Sequence, residues 1–266
     1  MITSNVLKII AIIAMIIDHI ASYFVAFVNE DVYYIFKSIG RITMPIFVYL
    51  LVQGFFYTKN LKKYIFRVFC LATITQVVLL VLGIINTTIF PNYVTRVNEY
   101  MGVLYSYVLS LILISMIEHK VLITKINYFL NLLIRIAAII IIVIIYLNID
   151  IEFDMRVPFM CMEIYFIEKL FRNNETKELF LVRDFDKKSK KIIFRIIYIF
   201  LIGVSFVSCL DFSKYHPGYK YSLVYSLIPI FLYNGKNGKK NKIIQTMFYM
   251  IFPIQHCVLY FLAMIA

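Results

Sequence analysis

Residues 6–28 read VLKIIAIIAMIIDHIASYFVAFV, and what they are decides what kind of chain this is. At about 1.5 Å of rise per residue such a run crosses a hydrocarbon core about 30 Å thick as one helix. Lys8 sits near its start, but Asp18 and His19 stand side by side far inside it. Charge at that depth is costly and marks a site, so the segment poses both the fold and the question of function.

The rest of the chain matches this opening. Of its 266 residues 62% are hydrophobic and 16% charged, and the mean hydropathy is +0.85. A soluble domain is closer to about half apolar and about a quarter charged. Apolar runs recur at 33–57, 64–85, 100–117, 122–147, 157–171, 192–210, 219–233 and 243–264, too many for a signal peptide. The expected fold is all-α, a polytopic transmembrane helix bundle of about nine spans. Residues 1–266 form one domain, with no internal repeat and no separate soluble part. Trp is absent, so Tyr must supply any interfacial aromatic belt.

The net charge of +12 does not point to nucleic acid, because the basic residues fall in short loops between spans. All 27 Lys and Arg except Lys37, Arg41, Arg96, Arg156, Lys214 and Lys220 fall on one side of a nine-span path. That bias predicts a cytoplasmic N-terminus and a C-terminus outside, in the cell membrane. The polar stretch 172–191 reads as a cytoplasmic loop. Cys70, Cys161, Cys209 and Cys257 lie inside apolar runs and read as small buried hydrophobes. No nucleophile elbow, phosphate-cradling glycine loop or zinc spacing occurs, so no metal is expected.

The polar residues inside the spans share a level. Asp18 and His19 lie about 18 Å from the start of the first span, and Arg41 about 12 Å into the second from the opposite face. Gln76, Ser106, Glu163, Gln255 and His256 fall within a few Å of the same layer, by about 1.5 Å per residue. Neighbours on a helix point about 100° apart, so Asp18 is expected to pair with Arg41 while His19 faces a cavity. Such a layer can glue helices together, or it can do chemistry, for which His is the side chain suited to proton transfer near neutral pH. His119 and His216 read as surface residues.

Three stretches carry a resemblance as well. LKIIAIIAMIIDHIASYF (7–24) with IGRITMPIFVYLLVQGFFYTKNLKKYIFRVFCLATITQ (39–76), and LIPIFLYNGKNGKKNKIIQTMFYMIFPIQH (227–256), resemble the TraX family of integral-membrane proteins. The resemblance is carried by Asp18-His19, Gly40-Arg41, Pro45, Gly54, Tyr64, Arg67 and Gln76, and by Tyr233-Asn234-Gly235-Lys236 with Pro253. It covers both ends and leaves 86–190 poorly matched. The family is named for a protein that N-acetylates pilin, so the resemblance implies an acyltransferase. It would take acetyl-CoA or another acyl-CoA as donor and an amine as acceptor, such as the N-terminus of a small peptide. His19, Asp18 and Arg41 would then be catalytic. Lys59, Asn60, Arg67, Asn234 and Lys236 would hold the donor, and Gln76, Glu163, Gln255 and His256 the substrate. One departure stands out: the family pattern has a His two places after the proline, where this chain has Gln255, with His256 one step of about 100° further on.

Two other classes fit the same residues, a small-molecule transporter and a non-catalytic membrane assembly factor. The topology has a direct check. In a cysteine-free background, a single cysteine in 211–218 should react with an impermeant thiol reagent added outside, and one in 236–242 should not; the reverse labelling would overturn the orientation.

Overall fold

The computed structural model of the chain describes residues 1–88, 101–118, 128–172, 179, 188–208, 222–236, 238 and 242–265. His119, His216, the 211–218 loop and most of 172–191 lie outside the described residues. Among the described residues the protein is a bundle of α-helices with no strand. They are α1 (Ser4–Tyr23), α2 (Glu30–Gly40), α3 (Thr43–Tyr57), α4 (Leu61–Thr88), α5 (Val103–Ile117), α6 (Tyr128–Asn148), α7 (Arg156–Phe171), α8 (Lys188–Ser208), α9 (Leu227–Leu232) and α10 (Lys242–Ile265).

Each expected span overlaps helix among the described residues, of which six segments are long and apolar enough to cross a membrane. These are Ser4–Tyr23, Glu30–Tyr57, Leu61–Thr87, Phe129–Asn148, Lys191–Ser208 and Gln245–Ile265. Val103–Ile117, Arg156–Phe171 and Ser222–Leu232 are helical and shorter. The protein is thus a multi-pass membrane protein. Its apolar outer surface shows this too: along α6, Phe129, Ile140, Ile141 and Ile144 are all exposed.

The run 33–57 is not one helix. α2 stops at Gly40, and α3 begins at Thr43 after a two-residue turn. Pro45 explains the position, since its ring would clash with the carbonyl four residues back, that of Arg41. In the first turn of α3, by contrast, its missing N–H costs nothing. Asn29 starts α2 by accepting the Val32 N–H at 2.9 Å, with Glu30 and Asp31 in the first turn. Asn60 does the same for α4 through the Lys63 N–H at 3.0 Å.

On α1, Leu7, Ala11, Ala14 and Ala21 are buried in a stripe of helical spacing, and Asp18 occupies the missing position on it. The alanines let the neighbouring helices come close; the Thr43 hydroxyl reaches the Ala11 carbonyl at 3.3 Å. α1 packs on α2, α3 and α10, and α7 ties α3 and α5 to α8.

Two short backbone clips close the bundle. At one end Ile2 lies beside Tyr233: its N–H donates to the Leu232 carbonyl at 2.8 Å, and its own carbonyl accepts from Asn234 at 3.0 Å. The Tyr57 hydroxyl donates to the Gly235 carbonyl at 2.9 Å, so the turns at 58–60 and 234–236 share this end, called here the basic end. At the opposite end Met101 pairs with Ile151, and the Glu152 N–H donates to the Met101 carbonyl at 2.9 Å.

Gly40 is required where α2 crosses α1, because a Cβ there would run into Asp18, its Cβ included. Gly203 is a milder case, with the flexible end of Leu227 3.1 Å from such a Cβ. Gly40→Ala should therefore lower the thermal midpoint well beyond Gly203→Ala, by an overpacking cost of about 1–3 kcal/mol or more. Equal midpoints would show that the crossing is not close.

Candidate functional site

At the end opposite the basic one, a cavity of about 160 Å³ opens between α1, α2, α4, α5 and α10. α1 lends it Asp18, His19, Ser22 and Tyr23 from consecutive turns, and α2 lends Lys37. The break after Gly40 delivers Arg41, and α4 delivers Gln76. The clip at 101 and 151 brings in Gly102, Glu152 and Phe153, and α10 brings Phe252 and His256.

Asp18 is ion-paired with Lys37, Oδ2 to Nζ, at 3.1 Å. The ammonium also donates to the Asp18 carbonyl at 3.3 Å and to the Ser22 hydroxyl at 2.5 Å. Its three hydrogens are thus all used, which fits a fixed counter-ion rather than a mobile base. The sequence assigned this role to Arg41. Lys37, one helical turn earlier, takes it because α2 ends at Gly40 and the chain turns before Arg41. The Arg41 guanidinium lies 5.7 Å from the Phe153 ring centre and faces the same cavity.

His19, one step round the helix from Asp18, faces α10. Its ring centre is 4.6 Å from that of His256, the planes tilted by 37°. The Tyr23 hydroxyl lies 3.0 Å from His256 Nδ1. His19 Nδ1 is buried with no hydrogen-bond partner among the described residues. Tyr23 and His256 thus form a hydrogen-bonded pair beside His19, and all three side chains line the cavity. His256 lines the cavity despite its shifted register, whereas Gln255 is buried outside the lining, next to the His19 ring. Pro253, inside α10, removes a backbone hydrogen bond just before this point.

Gln76 accepts from the Gly102 N–H at 3.0 Å and so closes one wall. Ser106 lies beneath, its hydroxyl 3.5 Å from the Glu152 carbonyl. Glu163 is elsewhere: it accepts from the Ser208 hydroxyl at 2.9 Å and does not line the cavity. Three contributors were not singled out from the sequence, Lys37, Tyr23 and Glu152. Glu152 sits between helices, where no span gives a depth, and its aim is set by the turn behind it. There Phe153 and Asp154 both adopt positive φ, 67° and 47°. Burial, reinforced by the Asp18 carboxylate, pushes the Glu152 carboxyl above its ordinary range.

A second cavity, of about 270 Å³, lies toward the basic end, lined by Lys8, Gln53, Tyr64 and Arg67 among apolar side chains. Of the residues expected to hold a donor, Arg67 lines it and the other four do not. Lys59 is exposed, and Asn60 caps α4. Asn234 accepts from the Lys236 N–H at 2.9 Å, so both belong to the turn that holds the N-terminal clip.

The family model described as TraX protein matches residues 3–263 of the chain. A protein described as "Probable fimbrial assembly protein FimC, serogroup H1", from Dichelobacter nodosus, is 40% identical over 70 residues, which are 26% of this chain and 28% of that protein. The match thus spans little more than a quarter of that relative's length. No solved structure matches.

The ion pair yields a prediction. Lys37→Met strands a carboxylate in the membrane and should cost about 3–5 kcal/mol of stability, read as a fall in thermal midpoint. Lys37→Met with Asp18→Leu should recover most of it. Losses that simply add would show that the two residues do not act as a pair.

Proposed function

The chain belongs to the TraX family, and on that premise we propose that it is a membrane-embedded acyltransferase moving an acetyl group from acetyl-CoA to an amine presented at the membrane. The fimbrial name of its relative favours a pilus subunit, or a peptide like one, as the acceptor. The reading includes nine crossings in the cell membrane, the basic end in the cytoplasm and the His19 cavity toward the outside. Inside-positive charge supports that orientation.

One observation carries the proposal: two imidazoles 4.6 Å apart in a polar cavity, one with an unpartnered ring nitrogen and the other beside a tyrosine hydroxyl. An amine must lose a proton as it attacks a thioester, and a neutral imidazole accepts one at ordinary pH. In the proposed step His19 takes that proton while the amine nitrogen bonds to the acyl carbon. The carbon–sulfur bond breaks, and the proton passes on to the leaving thiolate, giving an amide and free CoA. Arg41, in the same cavity, is placed to stabilise the oxyanion of the tetrahedral intermediate. Asp18 and Lys37 hold α1 and α2 in register, so the direction of His19 does not drift.

The relative's name equally suits an assembly factor that catalyses nothing, and one measurement separates the two. Protein in lipid nanodiscs is given radiolabelled acetyl-CoA and an amine-bearing peptide. The wild type should label the peptide, and His19→Gln, which keeps size and hydrogen bonding, should lower the rate about 10²–10⁴-fold. Label retained on the protein in the wild type and absent from His19→Gln would identify an acyl-imidazole step. Equal rates in the two proteins would sink the catalytic role of His19, and no labelling by either would leave the assembly reading.

A further inference from the structure

The two cavities share a wall. Phe47, Leu104, Tyr107 and Phe252 line both, and the rings of Phe47 and Phe252 stand 5.3 Å apart between them. The protein is therefore hollow on both sides of a single layer of side chains.

The second cavity differs from the first in chemistry. It offers the cations Lys8 and Arg67, with no carboxylate among the described residues of its lining. Lys8 lies 5.4 Å from the Phe248 ring centre and Arg67 6.0 Å from that of Tyr64, so both cations rest on aromatic walls. Tyr64 itself needs Gly54, where a Cβ would run into its hydroxyl.

Gln53 is the most specific feature. It is 3% exposed, and its Oε1 accepts a hydrogen bond from Arg172, which fixes which end of the amide is which. Nε2 is then a donor at a known place, buried at the cavity lining, with no partner among the described residues. A buried donor left unsatisfied is unfavourable, and an acceptor brought against it would relieve that cost.

From these features we infer that the second cavity is where the acyl donor binds. It takes a phosphorylated, slender chain that carries a carbonyl, with the anion at Lys8 and Arg67, a carbonyl oxygen on Gln53 Nε2, and the acyl end against the Phe47–Phe252 wall. The inference rests on the transferase reading and adds to it a separate donor chamber. Donor and acceptor enter from opposite ends, and the acyl group reaches the His19 cavity only when the aromatic wall parts. The arm of an acyl-CoA has this chemistry, and so does a phospholipid; the test tells them apart.

The probe is CoA itself, titrated into protein in neutral phosphatidylcholine nanodiscs, with transfer measured alongside. Gln53→Glu keeps the shape and the acceptor for Arg172 but replaces the donor with an anion. It should weaken CoA binding at least about tenfold, the worth of about 1.4 kcal/mol, as should Arg67→Gln. Lys62→Ala and Lys63→Ala, exposed and outside the cavity, should bind as the wild type does. Leu71→Trp fills the chamber without touching a charge and should abolish binding, which keeps the test open if Arg67→Gln does not fold. Wild-type affinity in Gln53→Glu and Leu71→Trp, with transfer intact in the parent, overturns the donor chamber and leaves the transferase standing. Loss of CoA binding on adding phosphatidylglycerol, with co-purified lipid reduced in Gln53→Glu, assigns the chamber to lipid and overturns the inference. A wild type that neither binds CoA nor transfers acetyl removes the reading and the chamber together.

Discussion

The contact between Asp18 and Lys37 is the constraint on which the arrangement depends. A carboxylate and an ammonium in this setting each cost several kcal/mol to desolvate, by about the amounts seen for buried ions. The cost is offset only because the geometry is complete: Lys37 reaches Asp18 Oδ2, the Asp18 carbonyl and the Ser22 hydroxyl. That geometry needs α2 close against α1, which only a glycine at position 40 allows. It also needs α2 to end where it does, and Pro45 sees to that. With the pair in place, His19 and Tyr23 are held toward α10, and Arg41 is turned into the cavity.

A second buried cluster organises the basic end in the same manner. Arg172 is ion-paired with Glu168 at 2.7 Å, with side chains 3% and 0% exposed. The Tyr198 hydroxyl lies against Glu168 and 2.8 Å from the Tyr49 hydroxyl. The guanidinium rests on Phe56 and Tyr57, with ring centres 4.3 and 4.9 Å away. This cluster locks α3 to α7 and α8 and orients Gln53 at the edge of the second cavity. Each cavity therefore has its own ion pair: Asp18–Lys37 lines the first, and Glu168–Arg172 stands behind Gln53 at the second. The two are separated by aromatic and aliphatic side chains with no charge among them, a barrier that an apolar acyl group crosses more readily than an ion.

How much of this was legible in the sequence differs from residue to residue. Composition and the length of the apolar runs determined the class, because a bilayer imposes one hydrophobic length and one way to satisfy backbone hydrogen bonds. Depth along a helix is linear in residue number, and so the level shared by Asp18, His19, Arg41, Gln76 and His256 could be read in advance. Direction is another matter. The residues 33–57 look like one run because apolarity does not record a break, and the turn at 41–42 moved the counter-ion from Arg41 to Lys37. Glu163 has the right depth and points to Ser208; Gln255 has the right depth and is buried beside the cavity that His256 lines.

The sequence by itself determined the membrane-spanning helical fold, the polar layer and the Asp18-His19 pair as its centre, since each follows from local properties of the chain. Only the tertiary structure decided that His256 meets His19, that Glu152 closes the site from a connecting segment, and that Arg67 lines the second cavity while Lys59, Asn60, Asn234 and Lys236 do not. It alone set two cavities back to back. Rotation of each helix about its own axis, and the approach of segments more than 200 residues apart such as Tyr23 and His256, come from packing. No window of sequence contains them.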